Sequence, residues 1–225
     1  MGRRGRYIVF EGIDGCGKST QMELVSAELE RRGYFMRRGR EPGGSEMAEE
    51  IRKTLLRPRA EVVDPITSLL LFNAARRQFL RTHLAGALED CDIFLSDRSF
   101  LSTLAYQGYA EGLDLDLVRT VCEATMEGMM PDLIVVIDLP VAVACARLIK
   151  RVVAESEGGA KGTRYDQKSS EFFECVRRGY LEEAQRYPFV RIVDGDRYPD
   201  AIVSDILSLI SGALSLNIPP IPGDI

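Results

Sequence analysis

The chain has 225 residues, long for one average domain and short for two, so a single domain carrying insertions is expected. Its hydrophobic share of 45% and charged share of 28% are ordinary for a globular protein, and no stretch approaches the roughly 18 uninterrupted apolar residues of a membrane-crossing helix. The net charge of −5 argues against a nucleic-acid-coating role, which needs a basic face.

The N-terminus, Met1 to Tyr7, is basic, but a strand-like run and a glycine loop follow it instead of an apolar leader, so secretion is not expected. Short apolar runs at Tyr7 to Phe10, Phe35 to Arg38, Ile93 to Leu95, Leu133 to Ile137 and Phe189 to Val193 each precede turn residues and a helical pattern. Strands alternating with helices predict an α/β fold, a parallel sheet with helices on both faces and right-handed connections. Ile134 to Ile137 lacks polar alternation, which places it near the sheet centre. The helices are predicted at Ser19 to Arg32, closed by Gly33, then at Pro65 to Leu88, Leu113 to Met129, Val141 to Val153 and Ser169 to Arg186. A glycine-rich break at Glu157 to Thr163 reads as mobile, and the proline-containing tail, about 216–225, reads as an extended strap.

Five scattered cysteines, Cys16, Cys91, Cys122, Cys145 and Cys175, suit reduced thiols in a cytoplasmic protein and small buried fillers. Of the 29 basic residues only five are lysine, so 24 are arginine, whose planar fork suits phosphate. Coding bias and a solvated surface account for most of them, and position must select the rest. The single histidine, His83, reads as a solvated helix position.

Gly12-Ile13-Asp14-Gly15-Cys16-Gly17-Lys18-Ser19, with Thr20 behind it, fits the phosphate-loop pattern in its required setting, after a strand and opening a helix. Backbone N–H groups and the helix N-terminus would cradle phosphates. Lys18 would neutralise β/γ oxygens and Ser19 would bind Mg²⁺, which implies ATP or GTP. No Asn-Lys-x-Asp segment follows a later strand, which disfavours guanine recognition. Asp97-Arg98 closes the third strand at the edge where α/β proteins bind ligands. Asp97 is a candidate metal ligand and Arg98 a bridge between phosphates, the alternative being a surface ion pair. Phe72 and Arg76, four apart on one helix, could stack a base and donate to its oxygen, or could be plain core and surface.

Phe10-Glu11-Gly12-Ile13-Asp14, Arg40-Glu41-Pro42-Gly43-Gly44, Leu70 to Gln78 and Asp97 to Gly108 together resemble the bacterial thymidylate kinases, in order and spacing, over roughly Tyr7 to Val193. The resemblance implies the five-stranded nucleoside-monophosphate-kinase fold with a mobile LID of about 151–168, a homodimer, and γ-phosphoryl transfer from ATP to dTMP with Mg²⁺. It assigns thymine stacking to Phe72, the base O4 to Arg76, the base edge to Thr103, the pocket wall to Gln107 and the deoxy preference to Tyr106. Asp14 would approach the 3′-hydroxyl and metal waters, and Glu41, Pro42 and Arg52 would shape and hold the monophosphate site. One branch of the family carries a catalytic arginine in its phosphate loop, where this chain has Gly15 and Cys16. Thr163-Arg164-Tyr165-Asp166-Gln167 resembles the basic LID element, which makes Arg164 the candidate catalytic cation. Arg147 and Arg151 either flank adenine or solvate a helix. A kinase of another nucleoside monophosphate or deoxynucleoside, and a nucleotide sensor without an acceptor, are the competing readings. Phe72, Arg76, Thr103 and Tyr106 argue against the sensor.

Overall fold

The computed structural model describes residues 5–157 and 162–214. Strands β1 (Arg6–Glu11), β2 (Met36–Arg40), β3 (Ile93–Asp97), β4 (Leu133–Asp138) and β5 (Val190–Asp194) form a wholly parallel sheet in the order β2-β3-β1-β4-β5. This is the expected five-stranded α/β sheet. β1 is central, and its Ile8, Val9 and Phe10 are fully buried because helices cover both faces. β4 lies beside it, and Leu133 to Ile137 are buried, as their unbroken apolar run predicts. The edge strand β2 exposes Arg37, Arg38 and Arg40, charges that discourage pairing with another edge.

The helices are α1 (Lys18–Arg31), α2 (Glu46–Leu56), α3 (Pro65–Phe79), α4 (Ala85–Asp90), α5 (Phe100–Thr103), α6 (Leu115–Met126), α7 (Val141–Glu157), α8 (Ser170–Ala184) and α9 (Pro199–Leu214). A π-helical stretch, Leu80–Leu84, joins α3 to α4, so the long helix predicted from Pro65 to Leu88 exists with one widened turn. A second, Leu104–Ala110, continues α5 and carries Tyr106 and Gln107; such widened turns recur at functional sites. α2 was not anticipated. Its start is capped by the Ser45 hydroxyl, which accepts from Ala48 N–H, and Glu46 and Glu49 occupy its first turn. The preceding Pro42-Gly43-Gly44 reads as loop and obscures that signal. α7 runs through Glu157, further than predicted; residues 158–161 of the expected mobile break and the whole 216–225 tail lie outside the described residues.

His83 departs from the solvated position expected of it. It is half-buried and stacks on Phe79, with ring centroids 5.6 Å apart, and meets Phe94 edge-on at 5.9 Å. Cys16, Cys91 and Cys122 are buried as expected, whereas Cys145 and Cys175 are half-buried; all five thiols are free. Among the described residues no helix is long and apolar enough to cross a membrane.

Candidate active site

The strand order reverses direction at β1, and the crevice beyond the carboxyl ends of the strands is where such sheets bind ligands. The phosphate loop lies there. Gly12 and Gly15 have φ of 135° and 83°. A Cβ on Gly12 would stand 2.6 Å from the Ile137 carbonyl oxygen, and one on Gly15 would stand 2.4 Å from that of Ala144. The loop is thus pressed against β4 and α7 too closely for side chains. Gly17 precedes α1 without a capping side chain, so the first-turn N–H groups can face a ligand. Lys18 is buried, its Nζ 3.0 Å from both the Gly12 and Ile13 carbonyl oxygens, and Ser19 and Thr20 are exposed at the loop's mouth.

Arg98 follows β3 with φ 74°, a left-handed conformation disfavoured for any residue with a Cβ. Its N–H donates to Phe10 O at 2.9 Å. Its Nη2 donates to Asp14 Oδ1 at 2.7 Å and to the Tyr106 hydroxyl at 3.3 Å, and its Nη1 donates to Ser102 Oγ and the Tyr180 hydroxyl, both at 2.9 Å. Beneath it the fully buried Glu11 accepts from Ser99 N–H at 2.7 Å, Ser102 Oγ at 2.6 Å and Tyr180 OH at 2.9 Å. Burial raises the Asp14 pKa, but the charges of Arg98 and Lys18 and the hydrogen bond from Tyr106 outweigh it and bring the carboxyl down to about 2.

On the other side of Arg98, α3 supplies Phe72 and Arg76. Arg76 is buried to 2% exposure. Its Nε donates to Glu41 Oε2 at 2.6 Å, Nη1 to Asn73 Oδ1 at 2.8 Å and Cys122 Sγ at 3.7 Å, and Nη2 to Ser99 O at 3.0 Å and Thr103 Oγ1 at 2.8 Å. A guanidinium has five N–H bonds, so Arg76 is a saturated hub where the sequence suggested a free donor. The Thr103 hydroxyl accepts from it, which leaves the hydroxyl its own proton to donate. Burial pushes the Glu41 carboxyl upward, with the Arg76 charge opposing. Arg52 Nη1 donates to Pro42 O at 2.8 Å, which ties α2 to the loop after β2.

One cleft of about 870 Å³ runs across all of this. It brings together Asp14 through Thr20, Glu41, Pro42, Arg52, Phe72, Arg76, Asp97, Arg98, Thr103, Tyr106, Gln107, Arg147 and Arg151 from the sequence-derived set. Gly12 and Ile13 lie in the loop behind its wall. Arg164 is the exception among the side chains. Its N–H donates to Leu56 O at 2.9 Å, its Nη2 donates to Ser68 Oγ and the Tyr165 hydroxyl, and Glu111 lies 3.6 Å away, so it faces α2 and α3 and does not line the cleft. Arg40, Ser102, Tyr165 and Asp166 were read only as parts of motifs and given no role, and Gly195, Arg197 and Pro199 of the β5–α9 connection were missed; all of them line the cleft. The last three could have been found by applying the strand-end rule to β5 as it was applied to β3.

The Asp14 carboxylate carries a pH signature. Its folded pKa is depressed from 3.8 to about 2, so its stabilising contribution is complete above about pH 4 and is lost as the pH falls through about 2. In chemical denaturation followed against pH, the stability gap between the wild type and Asp14→Asn should be flat above pH 4 and should shrink between about pH 4 and 2. A pH-independent gap would contradict the ion pair with Arg98.

Residues 10–206 match the family model described as thymidylate kinase. The thymidylate kinase of Geotalea daltonii is 38% identical over 215 residues, covering 95% of this chain and all of that protein. That of Citrifermentans bemidjiense is 40% identical over 193 residues, covering 85% and 84%. Among solved structures, the thymidylate kinase from Ehrlichia chaffeensis superposes with a TM-score of 0.70 at 26% identity, over 92% of this chain and 98% of that one. With the phosphate loop, the strand-end arginine and the Phe72–Arg76 pocket all opening on one cleft, and with relatives this similar over nearly the whole length, the chain belongs to the thymidylate kinase family.

Proposed function

We infer that the whole chain acts as one catalytic domain, its LID at about 151–168, which transfers the γ-phosphoryl group of ATP to dTMP, giving dTDP and ADP for dTTP synthesis. The observation that carries this reading is the continuity of the cleft, with a phosphate loop at one end, an aromatic and polar acceptor pocket at the other, and Arg98 between them. Phosphoryl transfer depends on positioning and charge stabilisation more than on a titrating base, and the Arg98 guanidinium, held by the four bonds described above and a fifth from Nη1 to Gly12 O at 3.3 Å, is a preorganised cation.

The loop's N–H groups and Lys18 take the donor phosphates, and Arg147 and Arg151 on α7 supply charge and a flank for the donor nucleotide. These two replace Arg164, which holds the LID from outside the cleft. Ser19 at the helix start and Asp97, whose Oδ1 is buried without a protein partner, fit a Mg²⁺ whose remaining ligands are phosphate oxygens and water. Among the described residues no cluster of three or more His, Cys, Asp or Glu could hold a metal unaided, which suits that shared coordination. The ion would neutralise charge on the β/γ phosphates.

At the acceptor end Phe72 stacks the base and Arg52 faces the monophosphate. Glu41 acts through Arg76, whose orientation it holds. The Thr103 hydroxyl donates to the base edge. Tyr106, hydrogen-bonded to Asp14 Oδ2 at 2.8 Å and lying under the Arg98 guanidinium at 5.1 Å, occupies the sugar side, where a 2′-hydroxyl would collide with it. A homodimer is proposed through the exposed apolar side chains Ile66 and Leu70 of α3 and Leu117 of α6, since those helices pack together.

Arg98→Ala should lower kcat by about 10³ or more, the range for a phosphate-clamping arginine; folded mutant retaining more than about a tenth of wild-type turnover would remove Arg98 from that role. Base choice separates this reading from a general nucleoside-monophosphate kinase. Loss of the thymine methyl should cost about 10- to 200-fold in kcat/KM, so dUMP should be a poor but measurable substrate. In dCMP the exocyclic amine faces the Thr103 hydroxyl, whose lone pair is already taken by Arg76 Nη2, so donor meets donor and discrimination of about 10⁴ to 10⁵ is expected. Comparable kcat/KM for dCMP and dTMP would favour the general kinase. In sedimentation equilibrium the wild type should be dimeric and Leu70→Glu monomeric, whereas a monomeric wild type would overturn the proposed interface.

A further inference from the structure

We propose that Tyr180 of α8 is a positioning residue for Arg98, holding one edge of its guanidinium from behind the cleft wall while the opposite edge is left to meet phosphate. This rests on the reading of Arg98 as the cation between the two phosphate sites. It extends the machinery to a residue that belongs to none of the sequence motifs.

The partners of the Arg98 guanidinium are unevenly placed. Nη1 shares its N–H groups among Gly12 O, Ser102 Oγ and the Tyr180 hydroxyl, whereas Nη2 meets Asp14 and Tyr106, both of which line the cleft. Nε has no acceptor among the described residues. Tyr180 does not line the cleft, so it acts through its neighbours and not on a ligand. With Nη1 anchored, the plane of the guanidinium stays fixed when a phosphate oxygen takes the place of Asp14 on Nη2, and the cation need not reorganise during transfer.

Glu11 directs the protons of this anchor. Tyr180 OH and Ser102 Oγ donate to Glu11 Oε2 at 2.9 and 2.6 Å, which turns a lone pair of each hydroxyl toward Nη1. Burial and the Glu11 charge push the Tyr180 phenol well above its ordinary range, so the hydroxyl keeps the proton this arrangement needs. Glu11 Oε1 accepts from the N–H groups of Ser99 and Ser102, at 2.7 and 3.2 Å, and so fixes the backbone that leaves the left-handed Arg98. Packing brings the Tyr180 hydroxyl to its place. Tyr180 is 1% exposed, and a Cβ on its neighbour Gly179 would stand 2.8 Å from the Tyr109 ring and 3.0 Å from Ala105 Cα. α8 therefore approaches the π-helical turn as closely as a glycine allows, and the next residue along reaches Arg98.

Steady-state kinetics with ATP and dTMP, combined with a double-mutant cycle, test the assignment. Tyr180→Phe keeps the ring and should stay folded by circular dichroism. Its kcat should fall by about 10- to 150-fold, the range of a lost hydrogen bond to a charged group, while the KM of each substrate stays within about threefold. Tyr109→Phe removes a hydroxyl from the same α8 contact, where it donates to Glu183 Oε1 at 3.0 Å and does not touch Arg98, and should leave kcat within about twofold. In an Arg98→Ala background Tyr180→Phe should cost nothing further, because a residue that acts through Arg98 has nothing left to position, whereas a purely structural loss would add. The cycle run with Arg98→Lys, which keeps the charge and loses the fork, should behave in the same way. Unfolded Tyr180→Phe, an unchanged kcat, a loss confined to KM, an equal loss in Tyr109→Phe, or additive losses in the cycles would overturn the proposal while leaving Arg98 as the phosphate clamp. Wild-type turnover in Arg98→Ala would overturn both.

Discussion

The guanidinium of Arg98 sits between Asp14 of the phosphate loop, Ser102 and Tyr106 of the following helix, and Tyr180 of α8, while its own backbone is bent into the left-handed region. Such a conformation costs on the order of 1–3 kcal/mol for a residue with a Cβ, and it persists here because its surroundings over-determine it. The N–H is anchored on β1, and the ion pair with Asp14 is largely shielded from water. The bend turns the side chain back across the end of the sheet instead of outward into solvent. Much of the cleft's geometry follows from that turn, since Asp14, Tyr106 and the Glu11 cluster are all oriented by partners of Arg98 or by Arg98 itself.

A second buried arginine organises the α3 end of the cleft by a different logic. Arg76 has no donor to spare, and a charged group so deeply buried is tolerable only when paired and fully hydrogen-bonded. Glu41 supplies the counter-charge, and Thr103 relays the guanidinium's polarity one atom further into the cleft. A hydroxyl held this way is stiff, because it is short and its orientation is dictated from behind.

The segment around Arg164 shows what local sequence reasoning lacks. A basic residue in a glycine-flanked segment near a phosphate site invites assignment as a catalytic cation, and Arg164 invited it. The tertiary fold supplies three competing acceptors, the Leu56 carbonyl, Ser68 and Glu111, and these hold the side chain on the far face. Tyr165, one residue on, faces the cleft because adjacent residues in a non-helical segment point in different directions. The helix periodicity of α7, by contrast, was readable, and both Arg147 and Arg151, four residues apart on one face, reach the cleft.

What the sequence determined by itself was whatever depends on neighbours along the chain. The phosphate loop, the alternation of strands with helices, the burial of the β4 run and the pairing of Phe72 with Arg76 on one helical face all follow from spacing and residue type. The capped start of α2 was available in the same way, at Ser45, and was hidden only by the Pro-Gly-Gly before it. What the tertiary structure alone decided was which polar groups satisfy one another across the chain. Arg98 meets Tyr180 82 positions away, Glu11 meets that tyrosine across 169, and Arg76 meets Glu41 across 35. Buried donors and acceptors must find partners wherever packing brings them, and that choice is made by the three-dimensional juxtaposition of elements, which no local pattern encodes.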